Sequence, residues 1–208
     1  MIICGAAGRM GRLLVALARD DARLRVAGAI EAPGHPALGR DAGEMAGGPL
    51  GVPIGAELAP VCRRESVILD FTTPEATLAH ARVAAERGAG LVIGTTGLDP
   101  RQDRELRTLA ASTRAVIAPN MSVGVTVLTE LVASAARLLD ASFEAEIVEL
   151  HHHAKKDAPS GTALALGRAV AGARRQEFER ARVLAREGLV GARRAEEIGI
   201  VALRAGDA

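Results

Sequence analysis

The chain is nearly without aromatic residues: three Phe, no Tyr and no Trp among 208 residues. Single-stranded nucleic acid is held largely by bases stacked on aromatic rings, so a partner of that class is not expected. Excess charge of one sign is also lacking. A formal net charge of +1 gives no electrostatic footing for DNA, RNA or an anionic membrane surface. The doublets Arg63-Arg64, Arg174-Arg175 and Arg193-Arg194 stand apart from one another and read as solvated surface. No apolar run approaches the roughly 20 residues needed to span a bilayer. From Met1 the chain passes into a short apolar strand and a glycine loop, without the basic start and longer apolar stretch of a signal peptide. Cysteine is scarce: Cys4 and Cys62 have no CxxC spacing, and buried reduced thiols in a cytoplasmic protein are expected.

The last scarcity points to a site. Only Lys155 and Lys156 among the 26 basic residues are lysine, and they follow three of the five histidines, His151, His152 and His153. Arginine stays protonated in proteins, whereas an ammonium can be shifted so as to exchange protons. The surrounding stretch, Glu149–Ala163, reads E-L-H-H-H-A-K-K-D-A-P-S-G-T-A and runs into apolar sequence. Ser160-Gly161-Thr162 there looks like a helix start, with backbone N–H groups free for an anion. Acid–base groups beside an anion cradle predict a catalytic site.

A metal is not expected at the triplet. No Cys, Asp or further His joins it at ligand spacing, and on a strand His151 and His153 point away from His152. His153 reads as a lining or surface residue and Lys156 as solvated, while Asp157 caps the next helix or fixes the loop. His35 and His80 receive no role.

Strand and helix signals alternate through the first half. Met1–Cys4, Arg25–Ile30, Ser66–Asp70, Ala89–Ile93 and Ala115–Ala118 read as strands. Helices are expected to about Asp20, from Pro74 to Arg87 with Gly88 closing it, and over Pro100–Ser112 behind Asp99. Glu57–Arg64 is a weaker helix candidate, and residues 32–55, rich in Gly and Pro, read as a long surface loop. The alternation predicts an α/β fold with a parallel sheet covered on both faces. After Pro119 the pattern changes to one long apolar helix over Ser122–Leu139 and a strand over Phe143–Leu150. An Arg/Glu-rich segment and a final strand, Ile198–Leu203, follow further on. A domain boundary is placed near residues 118–122.

Gly5, Gly8 and Gly11 lie between the first strand and helix, where backbone can approach a pyrophosphate that faces the helix N-terminus. Glu31 ends the second strand 20 residues after Gly11, where a carboxylate hydrogen-bonds a ribose hydroxyl. A dinucleotide site is expected. The carboxylate favours NADH, since Ala32 supplies no cation for the 2′-phosphate of NADPH; Arg9 or Arg40 could supply one instead, so NADPH stays open. Two loops that follow strands, Gly94-Thr95-Thr96-Gly97 and Ala118-Pro119-Asn120-Met121-Ser122, fit either the nicotinamide half or ordinary turn chemistry.

These motifs together resemble dihydrodipicolinate reductase. They are G-A-A-G-R-M-G at 5–11, Asp70-Phe71-Thr72-Thr73-Pro74, G-T-T-G at 94–97, A-P-N-M-S-V-G at 118–124 and the 149–163 stretch. Arg186-Glu187-Gly188, Ile198-Gly199 and Arg204-Ala205-Gly206-Asp207 follow in family order. The resemblance implies a Rossmann-like dinucleotide-binding domain over 1–119. A substrate-binding and catalytic α+β domain on an open sheet is implied over 120–208. It implies NAD(P)H-dependent reduction of 4-hydroxy-tetrahydrodipicolinate to tetrahydrodipicolinate in diaminopimelate and lysine synthesis, by a homotetramer. Gly5, Ala6, Ala7, Gly8, Arg9 and Met10 would carry the pyrophosphate, and Glu31 the adenosine ribose. Gly94, Thr95, Thr96, Ala118, Pro119, Asn120 and Met121 would hold the nicotinamide half. His151 and Lys155 match proton-transfer positions. His152, Gly161 and Thr162 match substrate contacts, with Ser160 adding to the same anion cradle. Two departures stand out: Ala154 replaces a cationic or hydrogen-bonding residue, and Ala208 precedes the family's C-terminal strands and helix. A chain shortened in this way suggests an alternative, a non-catalytic dinucleotide-binding fragment or sensor.

Overall fold

The computed structural model describes residues 1–140 and 142–207. The chain divides into two compact units, Met1–Pro119 and Asn120–Ala208.

The first unit is a six-stranded parallel sheet. Its strands are β1 (Ile2–Cys4), β2 (Gly28–Ile30), β3 (Ile54–Gly55), β4 (Val67–Asp70), β5 (Gly90–Ile93) and β6 (Ala115–Ile117), in spatial order β3-β2-β1-β4-β5-β6. Side chains alternate across a strand, so β1 feeds two cores. Ile2 and Cys4 join Ile68, Leu91 and Ile93 on one face, while Ile3 joins Ala29 and Ile54 on the other. Helix α1 (Arg9–Asp20) closes the second face with Val15 and Ala18. Helices α2 (Pro74–Arg87) and α3 (Pro100–Ala110) close the first with Leu78, Ala81, Ala84 and Leu106. Their ends follow local chemistry. Thr73 caps α2 ahead of Pro74, and Gly88 ends it in the left-handed region at φ 67°. Asp99 and Gln102 form a capping box on α3. Cys4 and Cys62 are both buried free thiols.

Three expectations change here. Residues 32–55 are not a period-less surface loop. They fold back on Asp41, whose carboxylate accepts the N–H groups of Gly43, Leu50 and Gly51, and they end in the edge strand β3. Alternating Gly and Pro hid that strand, which is only two residues long. Residues 57–64 form turns rather than a helix, anchored by buried Leu58 and Cys62. The second strand is shorter than Arg25–Ile30, because its register with β1 begins at Gly28.

In the second unit, α4 (Val123–Leu138) follows its cap Ser122. Strand β7 (Ala145–His151), helix α5 (Gly161–Ala173), a short α6 (Phe178–Ala181), β8 (Arg182–Val183) and β9 (Ile198–Arg204) complete it. The sheet order is β7-β9-β8, with every pair parallel. One face is packed: Ala136, Ala163, Val170, Ala171, Phe178, Ile198 and Ile200 form a core with Ala145 and Ile147. The other presents Val148, Leu150, Val201 and Leu203. Arg193 is not solvated surface as its doublet suggested. Its side chain, 16% exposed, bonds Glu146 and the carbonyls of Ala145 and Glu197. Glu146 in turn lies over β9 at Gly199, where a Cβ would come within 1.8 Å of its carboxylate.

Candidate active site

The glycine loop turns between β1 and α1. Gly5 has φ 69°, and a Cβ on Gly11 would sit 2.0 Å from the Gly5 carbonyl oxygen, so both positions require glycine. Gly8 caps α1 without a side-chain bond, which leaves first-turn N–H groups for an anion. Ala6 and Ala7 are buried, whereas Gly8, Arg9 and Met10 are exposed. Glu31 follows β2 and reaches the loop: its Oε2 accepts the Ala7 N–H at 3.0 Å and its Oε1 that of Ala32, also at 3.0 Å. A cavity of about 540 Å³ opens beside it, lined by Gly5, Glu31, Leu58, Thr72, Ala76 and His80 among others. Free backbone donors, a carboxylate at the strand end and a partly apolar cavity fit a dinucleotide.

Beneath that cavity lies a feature that sequence reasoning missed. Asp70 ends β4 fully buried and accepts from Thr72 N–H (3.0 Å), Thr72 Oγ1 (2.6 Å) and Thr77 Oγ1 (3.1 Å). His80 Nδ1 lies 2.6 Å from its other oxygen. Thr95 Oγ1 joins Thr77 Oγ1 at 2.7 Å, which ties the loop after β5 to the same group. Gly94 packs on Phe71, and Thr96 is exposed. Burial pushes the Asp70 carboxyl up, but bonds from His80 and Thr72 hold it below the ordinary range. The spacing of Thr77 and His80, three apart on a helix, was the available signal for a shared face. Cys4, Asp70 and His80 also offer ligand atoms within 4.8 Å of one another, the one such group among the described residues. Burial raises the Cys4 thiol well above its usual range, and the Asp70 oxygens are already taken. The group reads as a hydrogen-bonded hub.

The stretch 149–163 crosses from β7 to α5 in the second unit. Strand β7 ends at His151, so His152 and His153 lie in the turn beyond it. Lys155 is 18% exposed, and its Nζ donates to Asp157 Oδ1 at 2.7 Å. Arg204, opposite His151 on β9, donates to the Asp157 carbonyl and lies 3.7 Å from Glu149. Glu149 accepts the Ser160 N–H at 2.8 Å and approaches His151 Nδ1 at 3.1 Å. His151, Lys155 and the α5 start thus share one polar network through Glu149, Arg204 and Asp157. Asp157 was expected to cap a helix or fix the loop, but Glu149 and Arg204 were given no role, although Glu149 stands two residues before His151 on a strand and so shares its face.

Ser160 caps α5 through the Ala163 N–H at 3.1 Å. Thr162 Oγ1 accepts from Asn120 Nδ2 at 2.9 Å, and Asn120 Oδ1 accepts the Ser122 N–H. Gly161 and His152 are half-buried. Ala118 and Pro119 follow β6 in the first unit, and Met121 is exposed in the second. His153 Nδ1 reaches the Gly206 carbonyl at 2.7 Å, and Lys156 is exposed. Asp157 fixes the loop and leaves the capping to Ser160.

Residues 1–121 match dihydrodipicolinate reductase, N-terminus, and residues 124–208 match dihydrodipicolinate reductase, C-terminus. The chain belongs to the dihydrodipicolinate reductase family. It is 46% identical over 208 residues to the 4-hydroxy-tetrahydrodipicolinate reductase of Anaeromyxobacter dehalogenans (strain 2CP-1 / ATCC BAA-258), covering all of this chain and 77% of the relative. The Geobacter sp. (strain M21) enzyme of the same name is 43% identical over 206 residues, covering 99% and 77%. A solved structure, dipicolinate-bound dihydrodipicolinate reductase from Paenisporosarcina sp. TG-14, matches with a TM-score of 0.64 and 26% identity, covering 99% of this chain and 78% of that one. Among the described residues, no helix is long and apolar enough to cross a membrane.

Proposed function

We propose that this protein reduces 4-hydroxy-tetrahydrodipicolinate to tetrahydrodipicolinate with NAD(P)H, in the synthesis of diaminopimelate and lysine. The observation that carries the reading at the level of residues is the network joining His151, Lys155 and the start of α5. The reduced nicotinamide supplies a hydride, and the protein's groups do the rest. Hydride addition to the conjugated ring leaves a site that must gain a proton, and water leaves from the hydroxylated carbon over the whole reaction. His151 and Lys155 exchange these protons. His152, with Gly161 and Thr162 at the helix start that Ser160 caps, receives the substrate carboxylates, where N–H donors and the helix dipole favour negative charge.

On the cofactor side, Gly5, Ala6, Ala7, Gly8, Arg9 and Met10 take the pyrophosphate. Gly94, Thr95, Thr96 and the residues Ala118, Pro119, Asn120 and Met121 take the nicotinamide half. Glu31 meets the ribose; a carboxylate there, followed by Ala32, supports NADH as the preferred donor, with NADPH tolerated. The exposed apolar side of the β7-β9 sheet supports assembly into a homo-oligomer, and two buried free thiols support a cytoplasmic enzyme.

The test is turnover of reduced nicotinamide by the purified chain, given substrate made by the preceding aldol condensation. Lys155→Ala is expected to lower kcat on the order of 10²–10⁴-fold while the Kd for NADH stays put. Equal losses in both would remove Lys155 from the chemistry. NADH binding without turnover by the parent chain would favour a binding protein.

A further inference from the structure

Residues two apart on a strand project to the same side, so Glu149 and His151 share the covered face of β7. Glu149 is only 9% exposed, and its two oxygens face different neighbours. Oε1 accepts the Ser160 N–H at 2.8 Å, with Arg204 at 3.7 Å. Oε2 lies 3.1 Å from His151 Nδ1, off the alignment of a good hydrogen bond. Both atoms of that pair are buried, and neither has another partner among the described residues. Two buried polar atoms facing each other in this way call for a proton between them. The carboxyl is a poor place for it. Burial pushes Glu149 up, but the Ser160 donors and the charges of His151 and Arg204 hold it below the ordinary range. The proton therefore belongs on the imidazole.

We propose that Glu149 is a positioning residue for His151: it holds the ring with Nδ1–H toward Oε2, so that Nε2 is the nitrogen offered to the substrate. The proposal rests on the reading of His151 as a proton-exchanging group. In that tautomer a neutral His151 accepts a proton at Nε2, and a charged one returns it from the same atom. The same carboxylate grips the N–H of Ser160, the residue that caps α5, so one side chain sets both the orientation of the imidazole and the start of the helix. The other charges near it are accounted for. Arg204 on β9 leans on Glu149 and the Asp157 carbonyl, Lys155 and Asp157 pair with each other across the loop, and the first turn of α5 contributes N–H groups but no charged side chain.

Glu149→Gln is the discriminating variant. Its amide oxygen can still accept from Ser160, while its NH2 group opposite Nδ1 forces that nitrogen to accept, moving the ring proton to Nε2. The experiment reads ring-nitrogen NMR shifts of the full-length chain labelled with ¹⁵N-histidine, assigned by the loss of the His151 signals in His151→Asn, alongside steady-state kinetics. In the parent protein, Nδ1 is expected to carry the proton in neutral His151. In Glu149→Gln the proton moves to Nε2 and kcat falls on the order of 10²-fold or more, with the KM for NADH unchanged. A parent protein protonated at Nε2 overturns the proposal without any variant, and this decides the matter if Glu149→Gln does not fold. A Glu149→Gln enzyme with parental kcat also overturns it. His151→Asn tells the two levels apart: parental kcat there sinks the reading of His151 itself. Loss in His151→Asn but not in Glu149→Gln sinks only the role of Glu149.

Discussion

Asp70, fully buried, and Glu149, with only 9% of its side chain exposed, are carboxylates at or near the C-terminal ends of parallel strands, one in each unit. Asp70 is saturated. Thr72 gives it two donors and Thr77 one, His80 takes its other oxygen, and Thr95 closes the group through Thr77. The end of β4, the helix α2 and the loop after β5 are thereby tied to a single side chain. Glu149 bonds one backbone N–H and leaves its second oxygen against an imidazole. The difference teaches where to look for chemistry. Both carboxylates face an imidazole, but His80 is hydrogen-bonded to Asp70, whereas His151 stands off alignment at an oxygen with no other donor. A carboxylate whose oxygens all carry formed bonds builds a scaffold, and one with an oxygen still open beside an imidazole can direct a proton.

The contrast breaks most readily at Asp70. Asp70→Ala would strand Thr72, Thr77 and His80 without their acceptor in a buried place. The expected cost is roughly 3–5 kcal/mol of stability, the range for removing one partner of a buried charged network. Urea unfolding measures it. A cost below about 1 kcal/mol would match an ordinary single hydrogen bond and would end the claim that Asp70 organises its unit.

Glu149→Ala is expected to cost less, on the order of 1–3 kcal/mol, since one buried backbone donor loses its acceptor. Turnover should collapse in this variant well before folding does. The two substitutions therefore sort in opposite ways. Asp70→Ala shifts the unfolding midpoint most, and Glu149→Ala shifts kcat most. Equal ratios of stability loss to activity loss in the two would erase the distinction between scaffold and director.

The parts of this protein written in short-range patterns were open to reading from the sequence. Pro74 and Gly88 bracket α2, Asp99 opens α3, and the G-A-A-G-R-M-G string marks the first strand–helix turn; each is local backbone chemistry. The parts that failed depend on tertiary pairing. Strand β3 exists because Ile54 finds β2 across a loop held by Asp41, and no period in residues 32–55 announces that. Arg193 looked like solvent-facing charge until Glu146 and two carbonyls enclosed it. At the site, the residues that carry distinctive chemistry, His151 and Lys155, stood out by type. Asp157 was legible as a residue that caps a helix or fixes the loop, whereas the other supports, Glu149 and Arg204, are ordinary charged residues that only strand alternation and the β7–β9 register reveal.

The smallest expected effect concerns carboxylates outside the catalytic network. Glu197 is held at about 2 by hydrogen bonds from Arg194 and Arg186, and Glu146 is also lowered, first by Arg186 and then by Arg193. A carboxyl whose folded pKa lies below its unfolded one stabilises the fold above the unfolded value. That contribution is lost as pH falls through the folded value. For Glu197 the window therefore runs from about 4.3, the ordinary glutamate value, down to about 2. Asp70 is lowered as well, so its contribution also disappears in acid, starting from the ordinary aspartate value of about 3.9. Glu197→Gln separates the two. Urea midpoints taken across that window should fall less steeply in the variant than in the parent, and near neutrality the variant should lose little, because Arg186 and Arg194, the partners of this covered carboxylate, reach solvent where ion pairs are screened. Added salt should shrink the difference between variant and parent while leaving the Asp70 share, which lies out of reach of solvent, in place. An identical acid slope in the two proteins would assign the whole loss to buried carboxylates such as Asp70.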